Sequence, residues 1–115
     1  MTVVNIITRS DSDFVRSFLY KTTEGTPIDL TGSKLEMMCR IKAHLPTVYL
    51  DLSTDNEKIE LKPDISGEFK ITIPVAELEI LYAGEYVHSL IRLRPDLMRE
   101  EIWHGTLTHT IGPTR

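Results

Sequence analysis

Leu35-Glu36-Met37-Met38-Cys39-Arg40-Ile41-Lys42 alternates apolar and polar side chains: Leu35, Met37, Cys39 and Ile41 share one parity, with Glu36, Arg40 and Lys42 on the other. A period of two puts successive side chains on opposite faces of an extended chain, so this stretch reads as a half-buried β-strand. Val48-Tyr49-Leu50-Asp51-Leu52 repeats the pattern, as does Phe69-Lys70-Ile71-Thr72-Ile73, whose Phe69, Ile71 and Ile73 point inward.

Working outward, Val3 to Thr8, Phe14 to Lys21, Ile59 to Leu61, Tyr86 to Leu93 and Glu101 to Ile111 read as further strands. Residues that set or tolerate turn dihedrals separate them: Glu24-Gly25-Thr26-Pro27, Thr31-Gly32, Ser53-Thr54-Asp55-Asn56, Pro63-Asp64-Ile65-Ser66-Gly67 and Arg94-Pro95-Asp96. Short strands with such regular punctuation predict an all-β sandwich or barrel. Pro74 to Leu81 departs from the pattern, because it opens on a proline suited to a first helical turn and stops before Gly84. A short helix over 75–81, with Val75, Leu78 and either Leu81 or Tyr82 on its apolar side, would plug one end of the sandwich.

The chain has 115 residues, 41% hydrophobic and 26% charged, which predicts one domain over 1–115 with one core. Its net charge of −4 argues against a phosphate-binding surface, so neither DNA nor RNA is an expected partner. No apolar run approaches the roughly 18 residues needed to span a bilayer and no basic-then-apolar leader opens the chain, so no membrane partner is expected. A single cysteine, Cys39, leaves the fold to hold by packing without an internal disulfide.

His44, His88, His104 and His109 do not have the spacing of a zinc site, and His104 and His109, an odd number apart on one expected strand, face opposite sides; all four read as solvent-facing or rim residues. Asp11, Asp13, Asp51 and Asp55 lack a calcium-loop signature and read as turn formers and strand-end caps. Cys39 on the apolar parity reads as a small buried hydrophobe, and pairs with a base only if His88 faces inward beside it. Ser10, Ser12, Ser17, Ser33 and Ser66 lie in no nucleophile-elbow context, and no glycine-rich nucleotide loop exists. The expectation is a protein that is not an enzyme, with no catalytic residue, no cofactor and no metal. Trp103 is expected in the core, with Tyr49, Asp51, Thr106 and Thr108 on outward faces.

Asp13-Phe14 with Phe18, Glu24-Gly25-Thr26-Pro27-Ile28-Asp29-Leu30-Thr31-Gly32, Gly67 to Pro74, Leu81-Tyr82-Ala83-Gly84-Glu85-Tyr86 and Trp103-His104-Gly105-Thr106-Leu107 follow one another in an order similar to small domains of tailed bacteriophages. From about Asp13 to the C-terminus the chain resembles the baseplate-upper-protein N-terminal-domain-like family. The resemblance implies an immunoglobulin-like antiparallel β-sandwich of about seven to nine strands with the one short helix. It also implies a structural component of a phage virion, made in the host cytoplasm, in the tail, baseplate or receptor-binding-protein attachment region, with a capsid decoration or head–tail collar protein as the alternative. A carbohydrate-binding or hydrolytic module ranks last, for want of an aromatic platform.

In that family the domain often leads a longer protein, whereas here no fibre is expected to follow on the same chain, so the expected partners are other virion proteins and copies of the chain itself, met through its surfaces. The nearly uncharged run Val3-Val4-Asn5-Ile6-Ile7 is the expected contact, with Val3, Val4, Ile6 and Ile7 as interface residues.

Overall fold

The computed structural model describes residues 2–62 and 67–114. The expected turn at Pro63 to Ser66, Ser66 included, lies outside the described residues. Among the described residues there are nine strands: β1 (Thr2–Val3), β2 (Ile6–Arg9), β3 (Phe14–Leu19), β4 (Lys34–Arg40), β5 (Leu50–Ser53), β6 (Ile59–Leu61), β7 (Glu68–Ile73), β8 (Gly84–Leu93) and β9 (Arg99–Thr110), with helix α1 (Val75–Leu78) before β8.

They form two sheets. The larger runs β1-β9-β8-β4-β5, with β2 continuing β1 along β9, and the smaller runs β3-β7-β6. β1 and β2 lie parallel to β9, and the other pairs are antiparallel. A four-strand layer of β9, β8, β4 and β5 facing β3, β7 and β6 is the layout of an immunoglobulin-like sandwich. Tyr86, at the start of β8, donates its hydroxyl to the carbonyl of Tyr82 at 2.6 Å, the corner that such folds place at this strand. Where the inter-sheet disulfide is present in immunoglobulin domains, its second cysteine stands two residues beyond that tyrosine. Here the position is His88. Packing replaces the cross-link: Phe18 of β3 and Phe69 of β7 close on Trp103 of β9, with ring centroids 4.6 and 5.7 Å from the indole.

Alternation accounts for the core. Leu35, Met37 and Cys39 of β4, Leu50 and Leu52 of β5, Phe69, Ile71 and Ile73 of β7, and Leu107 of β9 are all buried. Full burial of each such side chain contributes about 1.5–3 kcal/mol. Trp103, 4% exposed, is in the core as expected.

Several expectations are corrected. β4 ends at Arg40, so Ile41 leaves the sheet and is 45% exposed, and β5 begins only at Leu50, leaving Val48 outside it. Tyr49 is half-buried against Tyr86, ring centroids 5.3 Å apart, rather than facing outward. The first strand breaks at Val4-Asn5. There the chain runs so close to Gly105 that a Cβ on that glycine would overlap the Val4 carbonyl, and the Asn5 Oδ1 accepts the Thr106 N–H at 3.2 Å in place of a backbone carbonyl. α1 is one turn long and stops at Leu78. Leu78 and Leu81 are buried, whereas Tyr82 is exposed, its carbonyl engaged by Tyr86.

Two long-range devices hold the ends. The Asp13 carboxylate accepts the Val75 N–H, satisfying a donor that the first turn of α1 leaves open. Arg92 of β8 donates to Ser33 Oγ (2.9 Å), the Asp29 carbonyl (3.0 Å) and Glu100 Oε1 (2.9 Å), tying the β3–β4 loop to the β8–β9 hairpin. Gly67 sits under that loop with φ +82°. A Cβ there would come within 2.5 Å of the Tyr20 carbonyl, so the position requires glycine.

Candidate functional site: the outer face of the larger sheet

Register decides which side chains share the outer face of the larger sheet, because residues directly opposite one another lie on the same side. Three rows cross it. Ser53, Glu36, Ile91 and Glu101 form one; Asp51, Met38, Ser89, His104 and Val3 the next; Arg40, Val87 and Thr106 the third, which Asn5 closes through its bonds to Thr106. All of these but the β5 residues Ser53 and Asp51 line a groove of about 700 Å3, walled on one side by Ala43 of the β4–β5 loop. Arg40 builds that wall: its guanidinium donates to the Leu45 and Pro46 carbonyls at 2.9 and 2.8 Å, drawing the loop toward the strand.

Met38, Val87 and Ile91 lie on the adjacent strands β4 and β8, with Ser89 between Val87 and Ile91 and with Val3 at the β1 end, and the charged Glu36, Arg40, Glu101 and Arg99 are interspersed with them. Sequence reading missed the groove because Met38, Val87 and Ile91 look like core residues of the wrong parity. Only the register shows that they line up across three strands. The β-bulge opposite Leu90/Ile91 adds to this: Ile102 has no partner there, and Glu101 rather than Ile102 faces Ile91.

One titratable pair lies in the groove. His104 Nδ1 and Glu101 Oε1 are 2.8 Å apart, and Ser89 stands opposite His104 on β8. Serine, imidazole and carboxylate thus neighbour one another, but no hydrogen bond links Ser89 to His104. Both residues sit in strands paired on each side, so their backbone polar groups lie within the sheet and the His104 carbonyl accepts the Val4 N–H at 2.9 Å. The arrangement sets a serine, an imidazole and a carboxylate side by side, the last two in hydrogen-bond contact.

The other histidines depart from expectation. His88 and His109 are buried, not rim residues. His88 faces inward directly opposite Cys39, which meets the stated condition for a thiol–imidazole pair. Yet no hydrogen bond joins them. Burial pushes the Cys39 thiol up to about 12, and the His88 ring bonds the Thr106 carbonyl at 3.2 Å instead. Burial also lowers the pKa of His88 below its ordinary 6.5 and does the same to His109, whose Nδ1 is 2.8 Å from Thr8 Oγ1. A thiol and imidazoles held neutral out of water belong to the core.

Among the described residues no three His, Cys, Asp or Glu side chains come together to hold a metal ion. Asp13 caps α1, Asp55 pairs with Lys34 at 3.6 Å, and Arg9 holds the carboxyl of Asp11 below its usual range. Of the four expected interface residues, Val3 and Ile7 are exposed at 59% and 72%. Ile6 is in the core, with Val4 packed against it. No helix of the described residues is long and apolar enough to cross a membrane.

No protein-family model and no curated protein matches the chain. Among solved structures it is similar to murine CRIg, at 8% identity over 94% of this chain and 92% of that one, with a TM-score of 0.46.

Proposed function

We propose that this chain is a non-enzymatic structural component of a tailed-phage virion, set in the tail, baseplate or receptor-binding-protein attachment region, that holds other protein chains against the outer face of its larger sheet. The groove across β9, β8 and β4 carries the reading. Apolar side chains set among charges of both signs fit a protein–protein interface, and they differ from the wet, uniformly polar outer face an antiparallel sheet otherwise shows. Three strands, β4, β8 and β9, about 4.8 Å apart and taken over the seven residues of β4, give a face of roughly 340 Å2. A stable interface needs about 800 Å2 per partner, so the β4–β5 loop pinned by Arg40 would share in the contact. The sequence blocks that resemble the baseplate family support the virion setting, and exposed Val3 and Ile7 support contacts between copies of the chain.

Mass spectrometry of virions from the strain that carries the gene, separated into heads and tails, tests the proposal. Peptides in the tail fraction are expected. Peptides confined to heads would favour the decoration or collar alternative, and absence from both would reject the virion role. A carbohydrate-binding module is disfavoured because no Trp, Tyr or Phe lines the groove on which a sugar ring could stack.

A further inference from the structure

β3 (Phe14–Leu19) has an open edge. Among the described residues it pairs only with β7, and the N-terminal segment runs along β9 in the other sheet. Six residues with one charge, Arg16, make a strand well suited to extending the sheet. A second feature lies beside the same strand. Between the sheets, Phe18 and Lys21 on one side and Val4, Ile102 and Trp103 on the other enclose a cleft of about 210 Å3. Trp103, which forms its wall, keeps its indole Nε1–H buried without an acceptor.

We infer that the open edge of β3 and this cleft together receive an extended segment of a partner protein, which adds as a strand to β3, places an apolar side chain in the cleft and sets a carboxylate against Arg16. Strand addition divides the work in this way, with main-chain hydrogen bonds supplying affinity and pockets for alternate side chains supplying specificity. The carboxylate follows from parity. Arg16 shares the inward parity of Phe14 and Phe18, and its guanidinium lies 4.9 Å over the Phe18 ring at the edge, where among the described residues it forms no ion pair. An inward-pointing charge at an open edge deters indiscriminate pairing. It deters a second copy in particular, since antiparallel β3–β3 pairing draws two Arg16 side chains together. An acidic partner strand converts the same group into an attraction, and its carbonyls bring to the cleft wall the kind of acceptor that Trp103 lacks. The inference rests on the reading that the ligand is a protein chain, and is independent of the virion setting.

Trp103 is the only tryptophan, so its fluorescence reports on the cleft. The probes are blocked hexapeptides alternating valine with threonine and bearing one central aspartate or one central lysine, added to the intact protein. The expected result is a saturable fluorescence change with the aspartate peptide, at least about 5-fold tighter than with the lysine peptide, with slowed hydrogen exchange at β3 amides. Arg16→Glu, at an exposed position, should keep the circular dichroism of the parent and reverse the preference. No saturable response at millimolar aspartate peptide, equal affinity for both peptides, protection at β5 or β2 instead of β3, or a peptide-free homodimer with β3 amides protected would each overturn the inference. Peptide binding by a protein absent from heads and tails alike would reject the virion setting alone, and the converse would reject the edge alone.

Discussion

The Asp13 carboxylate lies 2.6 Å from the amide nitrogen of Val75, joining the turn before β3 to the first residue of α1 across 62 positions of chain. Pro74 precedes that helix and no side chain of its own segment caps it. The helix is one turn long, too short to persist by propensity. It exists because Leu78 is buried against the core and Asp13 satisfies one of its free donors.

Asp13→Ala should therefore lower stability by about 1 kcal/mol, as expected for loss of a capping carboxylate. Urea denaturation should show an unchanged m-value with a lower midpoint, and Asp13→Asn, which keeps an acceptor, should lose less.

Arg92 donates to three groups from one guanidinium fork, and its side chain is only 12% exposed while that of Glu100 is 32% exposed. Arg92→Leu should cost about 1–3 kcal/mol by leaving the Glu100 carboxylate and Ser33 hydroxyl without their donor. Arg92→Lys should recover little, since one ammonium does not reproduce three directions. Thermal unfolding of the variants checks both, and a lysine variant as stable as the parent would refute the fork argument.

Acid should unfold the domain through its two buried histidines. His88 and His109 both titrate below 6.5 in the folded state, so the unfolded chain binds their protons more readily. Their contribution is fully present above pH 6.5 and is lost as pH falls below it toward their folded values, at a slope of at most about 1.4 kcal/mol per pH unit for each. Unfolding free energies measured from pH 8 to 5 should decline on the acid side. His109→Gln should shallow the slope, and a pH-independent stability would contradict the burial of both rings.

Cys39, fully buried with its thiol pushed up to about 12, should react slowly with thiol reagents in the folded protein and fully in denaturant. Cys39→Ser should lose about 1–3 kcal/mol by burying a hydroxyl on an apolar face.

The N-terminal strand offers a test of contacts between copies that spares the fold. Ile7→Glu changes an exposed side chain and should leave stability within about 0.5 kcal/mol. If Ile7 lies in a contact between chains, light scattering should show a smaller assembly than for the parent, and an unchanged mass would remove Ile7 from any such contact.

What the sequence by itself determined is local and periodic. Alternation in Leu35 to Cys39 and Phe69 to Ile73 picks out the buried faces of β4 and β7, the proline before Val75 marks the helix, and Trp103 falls on the core parity of β9. These follow from a two-residue repeat that any chain must obey in a sheet. Tertiary structure alone decided what faces what. The parallel run of β1 and β2 along β9, the bulge that seats Glu101 opposite Ile91, and the placing of His88 across from Cys39 depend on register, which no single strand carries. The groove is the clearest case. Met38, Val87 and Ile91 are each unremarkable alone, and they become one surface only when three strands are set side by side with their hydrogen bonds in phase.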